Sequence, residues 1–135
     1  MILPNIPKFD PVRQRGLGPV RLPAGGRQGP PQPWPIPGNP SPAERDAWEQ
    51  LWCTPQAVAW ERMGLTRIVA RYCRVMLAAE QHDATAAMLA QAVALEDNLG
   101  LTPRALRRLL WEIVPDEVTP PRPKKSSACE RMKAL

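Results

Sequence analysis

Proline is distributed so unevenly that it divides this chain before any other feature is considered. Twelve of the 18 prolines and six of the eight glycines lie before residue 43 of the 135. Proline breaks a helix interior and is confined to the edges of sheets. Residues 1–42 can therefore hold neither a continuous helix nor a central strand. A core restricted to the remaining residues is small, which favours a partner or an oligomer.

Three zones follow from this division. Residues 1–42 form a basic arm with five Lys or Arg against one acid, and the run Pro30–Pro37 favours extended polyproline II. This arm is either solvated or lies on phosphates, or it docks on another subunit through Trp34. Residues 43–114 are the predicted helical core, which carries oligomerisation and DNA contact. Residues 115–135 are a basic tail that is expected to be flexible.

Capping signals predict five helices in the core and no strand. Ser41-Pro42, Thr54-Pro55 and Thr102-Pro103 each place a cap before a first-turn proline, and Gly64 and Gly100 are typical helix ends. The expected helices cover about 42–52, 55–63, 66–81, 84–99 and 103–113. The predicted class is all-α: short N-terminal helices, a long antiparallel hairpin of 66–81 with 84–99, and a C-terminal helix, with disordered or extended arms.

Apolar residues at helical spacing mark the surfaces that should be buried in the core or in an oligomer. Two stripes on the 66–81 and 84–99 helices are wide for a two-helix unit, so self-association is expected. The predicted packing residues are Trp48, Trp52, Trp60, Ile68, Tyr72, Val75, Met88, Leu95, Leu99 and Leu106.

Arginines occupy other helix faces. Arg67, Arg71 and Arg74 share one face, where they repel one another unless an anion lies nearby. That anion is either a carboxylate such as Glu61 or Glu96, or a phosphate, which guanidinium binds bidentately. The candidate DNA-binding residues are Arg67, Arg71, Arg74, Arg104, Arg107, Arg108, Lys124 and Lys125.

Residues 95–109 also have the order of a helix-turn-helix, with a glycine turn, a capping threonine and a basic second helix. Helix–glycine–helix corners are equally common in plain bundles. A small transcription regulator therefore stays open as an alternative, and so does a purely structural virion component whose arginines are occupied by salt bridges.

Nothing in the sequence predicts catalysis. His82 is the only histidine, and no metal cluster, phosphate-binding loop or nucleophile elbow is present. Enzyme activity, cofactors, metals and small-molecule substrates are not expected. The spacing of Cys53, Cys73 and Cys129 fits neither a disulfide framework nor a zinc site and is typical of a reducing compartment. No stretch has the roughly 20 apolar residues that a membrane span needs.

Two segments together resemble the small subunit of tailed-bacteriophage terminase, of the kind carried by phages of actinobacteria. They are WEQLWCTPQA (48–57), which runs on through Trp60 to Tyr72, and LEDNLGLTP (95–103) with the helix that follows. The resemblance covers about residues 41–114. It implies a non-catalytic helical protein of the host cytoplasm that assembles into a ring, binds double-stranded viral DNA, and recruits the large ATPase–nuclease subunit. Many such subunits carry an amino-terminal helix-turn-helix, whereas here proline and glycine occupy that place, so the position of the DNA contact is open.

Overall fold

The computed structural model describes residues 18–115, which are mostly helical. The predictions for residues 1–17 of the arm and for the tail from residue 116, including Lys124 and Lys125, concern positions outside the described residues. In chain order the elements are β1 (Val20–Pro23), α1 (Pro42–Leu51), α2 (Gln56–Met63), α3 (Thr66–Ala79), α4 (Ala86–Leu99), α5 (Pro103–Leu109) and β2 (Trp111–Val114).

Side-chain caps set where three of the helices begin. The Ser41 hydroxyl accepts a hydrogen bond from the backbone N–H of Glu44 at 3.1 Å, and Thr85 and Thr102 do the same for the third residue after each of them. Each cap satisfies an N–H that has no partner within the helix. Gly64 and Gly100 end α2 and α4 in the left-handed conformation, with φ of 68° and 74°. The capping signals located these helix ends correctly except at Thr85, which was not predicted as a cap; α4 begins at Ala86 instead of residue 84.

The prediction of an all-α chain is wrong at both ends of the described region. The last helix stops at Leu109 instead of continuing to 113, and β2 pairs in parallel with β1. The N–H of Val20 donates to the Leu110 carbonyl, and that of Ala24 to the Val114 carbonyl, both at 2.8 Å. The sequence of residues 111–114 is compatible with a continuation of α5. The segment is extended because it pairs with β1, which lies about 90 residues earlier in the chain.

Three buried tryptophans, Trp48, Trp52 and Trp60, lie in the core, and the partly buried Trp34 packs against them. Trp34, Trp48, Trp52 and Trp60 contact one another in sequence, edge to face, with ring centroids 5.1, 5.4 and 5.9 Å apart. Such pairs stabilise a fold by about 0.5–1.5 kcal/mol beyond the area they bury. Trp34 belongs to the proline-rich segment, so that segment completes the core instead of standing apart from it.

Most of the predicted packing residues lie in this core. Trp48, Trp52, Trp60, Tyr72 and Leu99 are buried, and Ile68, Leu95 and Leu106 are partly buried against them. Val75 is half-buried. Met88 is 42% exposed, so it is not a core residue of the described chain.

The extended segment between β1 and α1 is fastened to α2 by Arg27. Its guanidinium bonds the Glu61 carboxylate at 2.8 and 3.4 Å, donates to the Pro30 carbonyl, and lies 5.4 Å from the Trp52 ring centroid. The Arg27 side chain is only 10% exposed. This part of the arm is therefore packed on the helices by charge and aromatic contacts together.

The lowered pKa of Glu61 makes the free energy of unfolding depend on pH. The hydrogen bond from Arg27 lowers the pKa of Glu61 from its ordinary value. Desolvation opposes this shift, and the Arg27 charge and a hydrogen bond from Gln32 lower the pKa further. Because the folded pKa is depressed, the stabilisation is present above the unfolded pKa and is lost as pH falls through the folded one. Since Glu61 is half exposed, we expect the wild type to lose about 0.5–1 kcal/mol more than Glu61→Gln between pH 5 and 3 in urea titrations. Equal losses would contradict the assignment.

The cysteines differ from the expectation. Cys73 is a free, fully buried thiol whose pKa burial raises to about 12, with the Glu44 charge contributing. Cys53 is disulfide-bonded, so the prediction that these cysteines form no disulfide is wrong for it. The cysteine pattern therefore gives no support for a reducing compartment.

Helix α4 packs against both α3 and α5 and so connects the two basic helices. Between α3 and α4, the Tyr72 hydroxyl donates to the Glu96 carboxylate at 3.0 Å. Burial, with this carboxylate beside it, raises the pKa of Tyr72 above its ordinary value. Within residues 18–115 no helix has the length and apolar character needed to cross a membrane.

Candidate nucleic-acid interface

The basic face of α3 divides into two free arginines and one engaged arginine. Arg67 and Arg71 are exposed, one helical turn apart, and neither makes a hydrogen bond or ion pair with a described residue. Arg74 pairs with Glu44 at 3.3 Å, and its guanidinium lies 5.5 Å from the Trp34 ring centroid. A phosphate would have to compete with Glu44 for Arg74, whereas Arg67 and Arg71 are available.

The carboxylates that could have neutralised this face are committed elsewhere. Glu61 binds Arg27, and Glu96 accepts from Tyr72. No acidic residue stands three or four positions from Arg67 or Arg71 along α3. The two cations therefore repel each other by a few tenths of a kcal/mol with no compensating partner among residues 18–115.

Helix α5 presents a second pair of free cations. Arg104 and Arg107 are exposed, three residues apart, and unpaired within the described chain. Arg108 is also exposed, but one of its guanidinium nitrogens donates to the Asp97 carbonyl at 2.8 Å. This bond ties Arg108 to the last turn of α4, where a cation also offsets the negative end of the helix dipole.

Two side chains of α2 form hydrogen bonds with the corner between α4 and α5. The Gln56 amide donates to the Gly100 carbonyl at 3.0 Å, and the Trp60 indole N–H donates to the Leu99 carbonyl at 2.8 Å. Both donors are buried. They satisfy carbonyls at the end of α4 that have no partner within the helix, so α2 is bonded directly to the corner that joins α4 to α5.

Sequence reasoning missed the role of Gln56. A glutamine just after Thr54-Pro55 looks like an ordinary first-turn residue, and nothing local connects it to a glycine that follows it by 44 positions. The one available signal was its position on the same helix as Trp60, four residues later, because residues at that spacing share a face.

An apolar surface lies on the outer side of α4. Met88, Leu89 and Val93 are 42%, 50% and 61% exposed, and no residue from Ala86 to Leu95 is charged. A helix that is apolar on all sides normally lies in a core. Here only Ala92, Leu99 and the partly buried residues between them face the rest of the chain.

No protein-family model, curated protein or solved structure matches this chain.

Proposed function

We propose that this chain is a non-catalytic DNA-binding adaptor of the terminase small-subunit kind, which engages double-stranded viral DNA in the host cytoplasm and recruits the large packaging subunit. The observation that supports it most is the set of four exposed, unpaired arginines on α3 and α5, namely Arg67, Arg71, Arg104 and Arg107. The terminase identity itself comes from the resemblance of residues 41–114.

Phosphate suits these arginines because of their geometry as well as their charge. Guanidinium donates two parallel hydrogen bonds to phosphate oxygens, and neighbours one turn apart on a helix can reach successive phosphates. The net charge of +5 adds long-range attraction to a polyanion. Each neutralised phosphate is expected to contribute about 0.9 to the slope of log affinity against log salt.

Self-association is the second part of the proposal. In this proposal α3 and α4 form the antiparallel hairpin of a ring-forming protomer, and the outer side of α4 is buried against a neighbouring copy. Leu89 and Val93 are 50% and 61% exposed, so they would lose the most solvent-exposed apolar surface on that burial. Because each is already partly buried, burying the rest of both side chains contributes about 2–3 kcal/mol per interface.

We expect Leu89→Glu with Val93→Glu to weaken self-association at least about 100-fold, because two charges would replace the apolar contact. The measurement is mass by light scattering over a concentration series. Met63→Glu is the matched control, since Met63 is 58% exposed on α2 and outside the proposed interface. An oligomer that persists unchanged in the double variant would exclude α4 as the interface.

Light scattering combined with a DNA titration at two salt concentrations tests the function of the full chain. A packaging adaptor gives an oligomer larger than a dimer and salt-sensitive DNA binding. An oligomer without DNA affinity would indicate a structural virion component instead. A monomer without DNA affinity would contradict the proposal altogether.

The braced α4–α5 corner favours a second candidate, a dimeric helix-turn-helix regulator that reads DNA with α5. A fixed angle between the two helices is what such a reader requires. It predicts a dimer, a palindromic site, and loss of sequence discrimination in Arg104→Ala or Arg107→Ala while Arg67→Ala weakens all sequences alike.

A further inference from the structure

Arg74 lies on the same face of α3 as the two free arginines. Positions 67, 71 and 74 follow the i, i+4, i+7 spacing of one helix face. The Arg74 side chain is 41% exposed, so a polyanion that contacts Arg67 and Arg71 also comes within reach of its guanidinium. What distinguishes Arg74 is its partner, the Glu44 carboxylate of α1, a helix that packs against α3. This ion pair therefore determines whether two or three cations of α3 are available to DNA.

The guanidinium of Arg74 is only partly used by Glu44. Its Nε donates to the carboxylate at 3.3 Å, and neither terminal nitrogen forms a hydrogen bond with a residue among 18–115. The Trp34 ring centroid lies 5.5 Å from Cζ, and the ring attracts the charge without using an N–H. Arg27 shows the contrast, because all three of its guanidinium nitrogens donate to protein oxygen atoms. Arg74 therefore keeps donors for a second anion.

The pair with Arg74 is not needed to hold Glu44 in place. Glu44 lies in the first turn of α1, where the helix dipole stabilises a negative charge, and its side chain is 21% exposed to water. An exposed ion pair contributes little to stability. Hydrogen bonds from guanidinium to phosphate are charge-assisted and bidentate, and a phosphate on the terminal nitrogens would also repel the carboxylate on Nε. A phosphate placed beside Arg74 is therefore expected to displace Glu44.

We propose that duplex DNA takes Arg74 from Glu44 when it binds, so that Glu44 is an intramolecular competitor of phosphate and Arg74 is a third phosphate contact on α3. This inference rests on the proposed DNA-binding function and adds a regulatory contact to it. Arg67 and Arg71 bind without giving up a partner, whereas Arg74 must first break its ion pair. Glu44 thereby lowers the affinity for duplex DNA by the free energy of the broken pair.

Glu44→Gln is expected to raise the affinity for duplex DNA about two- to fivefold more than Asp46→Asn does. Both variants remove one negative charge from α1, but Asp46 is exposed and forms no ion pair with a described residue. The slope of log affinity against log salt should stay the same, within about 0.3, because the number of phosphate contacts does not change. Fluorescence anisotropy with the full chain and a labelled duplex measures both quantities.

Arg74→Gln tests the other member of the pair. We expect its affinity to fall at least about fivefold more than that of Arg62→Gln, and its salt slope to become shallower by about 0.9, because one phosphate contact is lost. Arg62 is an exposed arginine of α2, so its variant makes the same change in net charge away from this face. In a chain that already carries Arg74→Gln, Glu44→Gln should no longer raise affinity more than Asp46→Asn does.

Three results would overturn this inference while leaving DNA binding in place. They are equal affinities of Glu44→Gln and Asp46→Asn, an extra gain from Glu44→Gln that persists together with Arg74→Gln, and an Arg74→Gln variant that binds as Arg62→Gln does. A wild-type chain that binds no duplex at low salt would instead overturn the proposed function, and this inference with it. If Arg74→Gln does not fold, the comparison of Glu44→Gln with Asp46→Asn decides.

Discussion

Gly100→Ala is expected to lower the free energy of unfolding by about 3–5 kcal/mol, a large part of what a domain of this size possesses. Gly100 ends α4 with a φ of 74°, where a Cβ costs about 1–2 kcal/mol by itself. A Cβ built there would also lie 2.6 Å from Cε3 of Trp111 and closer still to Cζ3. Trp111 is buried, so its ring would have to leave the core and take β2 with it.

Gly64→Ala is the matched control for this prediction. Gly64 ends α2 with a φ of 68°, but a Cβ there meets nothing within 4 Å. It should therefore cost only the conformational part, about 1–2 kcal/mol. Chemical denaturation of both variants measures the difference. Similar losses for the two would show that Trp111 does not pack on Gly100 as described.

The double variant Arg67→Glu with Arg71→Glu is expected to bind duplex DNA about 100-fold more weakly than the wild type. Two phosphate contacts would be lost, so the slope of log affinity against log salt should also become shallower by about 1.8. Both side chains are exposed and unpaired within the described chain, so stability should change by less than about 0.5 kcal/mol. Fluorescence anisotropy at several salt concentrations gives both numbers.

The change in net charge alone would produce part of this loss of DNA affinity. The control variant must therefore change the net charge by the same amount. Arg45→Glu with Arg62→Glu does so on α1 and α2, where both arginines are exposed. An equal loss of affinity in both double variants would mean that DNA affinity depends only on the net charge and that Arg67 and Arg71 make no specific phosphate contacts.

Local signals in the sequence were sufficient for many of the helix ends, but not for the end of α5 at Leu109. Ser41, Thr102, Gly64 and Gly100 each act within a few residues of themselves, so their capping roles can be predicted without knowing the fold. The exposed positions of Arg67 and Arg71 likewise follow from helical spacing. The sequence does not show whether a carboxylate from another helix neutralises Arg67 and Arg71, because that depends on which helices pack together.

The features that were missed depend on contacts between distant parts of the chain. The abundance of proline and glycine correctly predicted that residues 18–41 hold no helix. It gave no indication that Trp34 packs edge to face on Trp48 or that Arg27 bonds Glu61. Strand β2 could not be predicted because its partner Val20–Pro23 lies at the other end of the described chain. The same distance concealed the bond from Gln56 to Gly100 that fixes the corner before α5.

The salt dependence of DNA binding by the full, unmodified chain tests the central claim most directly. If the four free arginines on α3 and α5 contact phosphates, the association constant for a duplex should fall with a log–log slope of about −3.6 or steeper. Undetectable binding at 50 mM salt, or binding that salt does not weaken, would contradict the account.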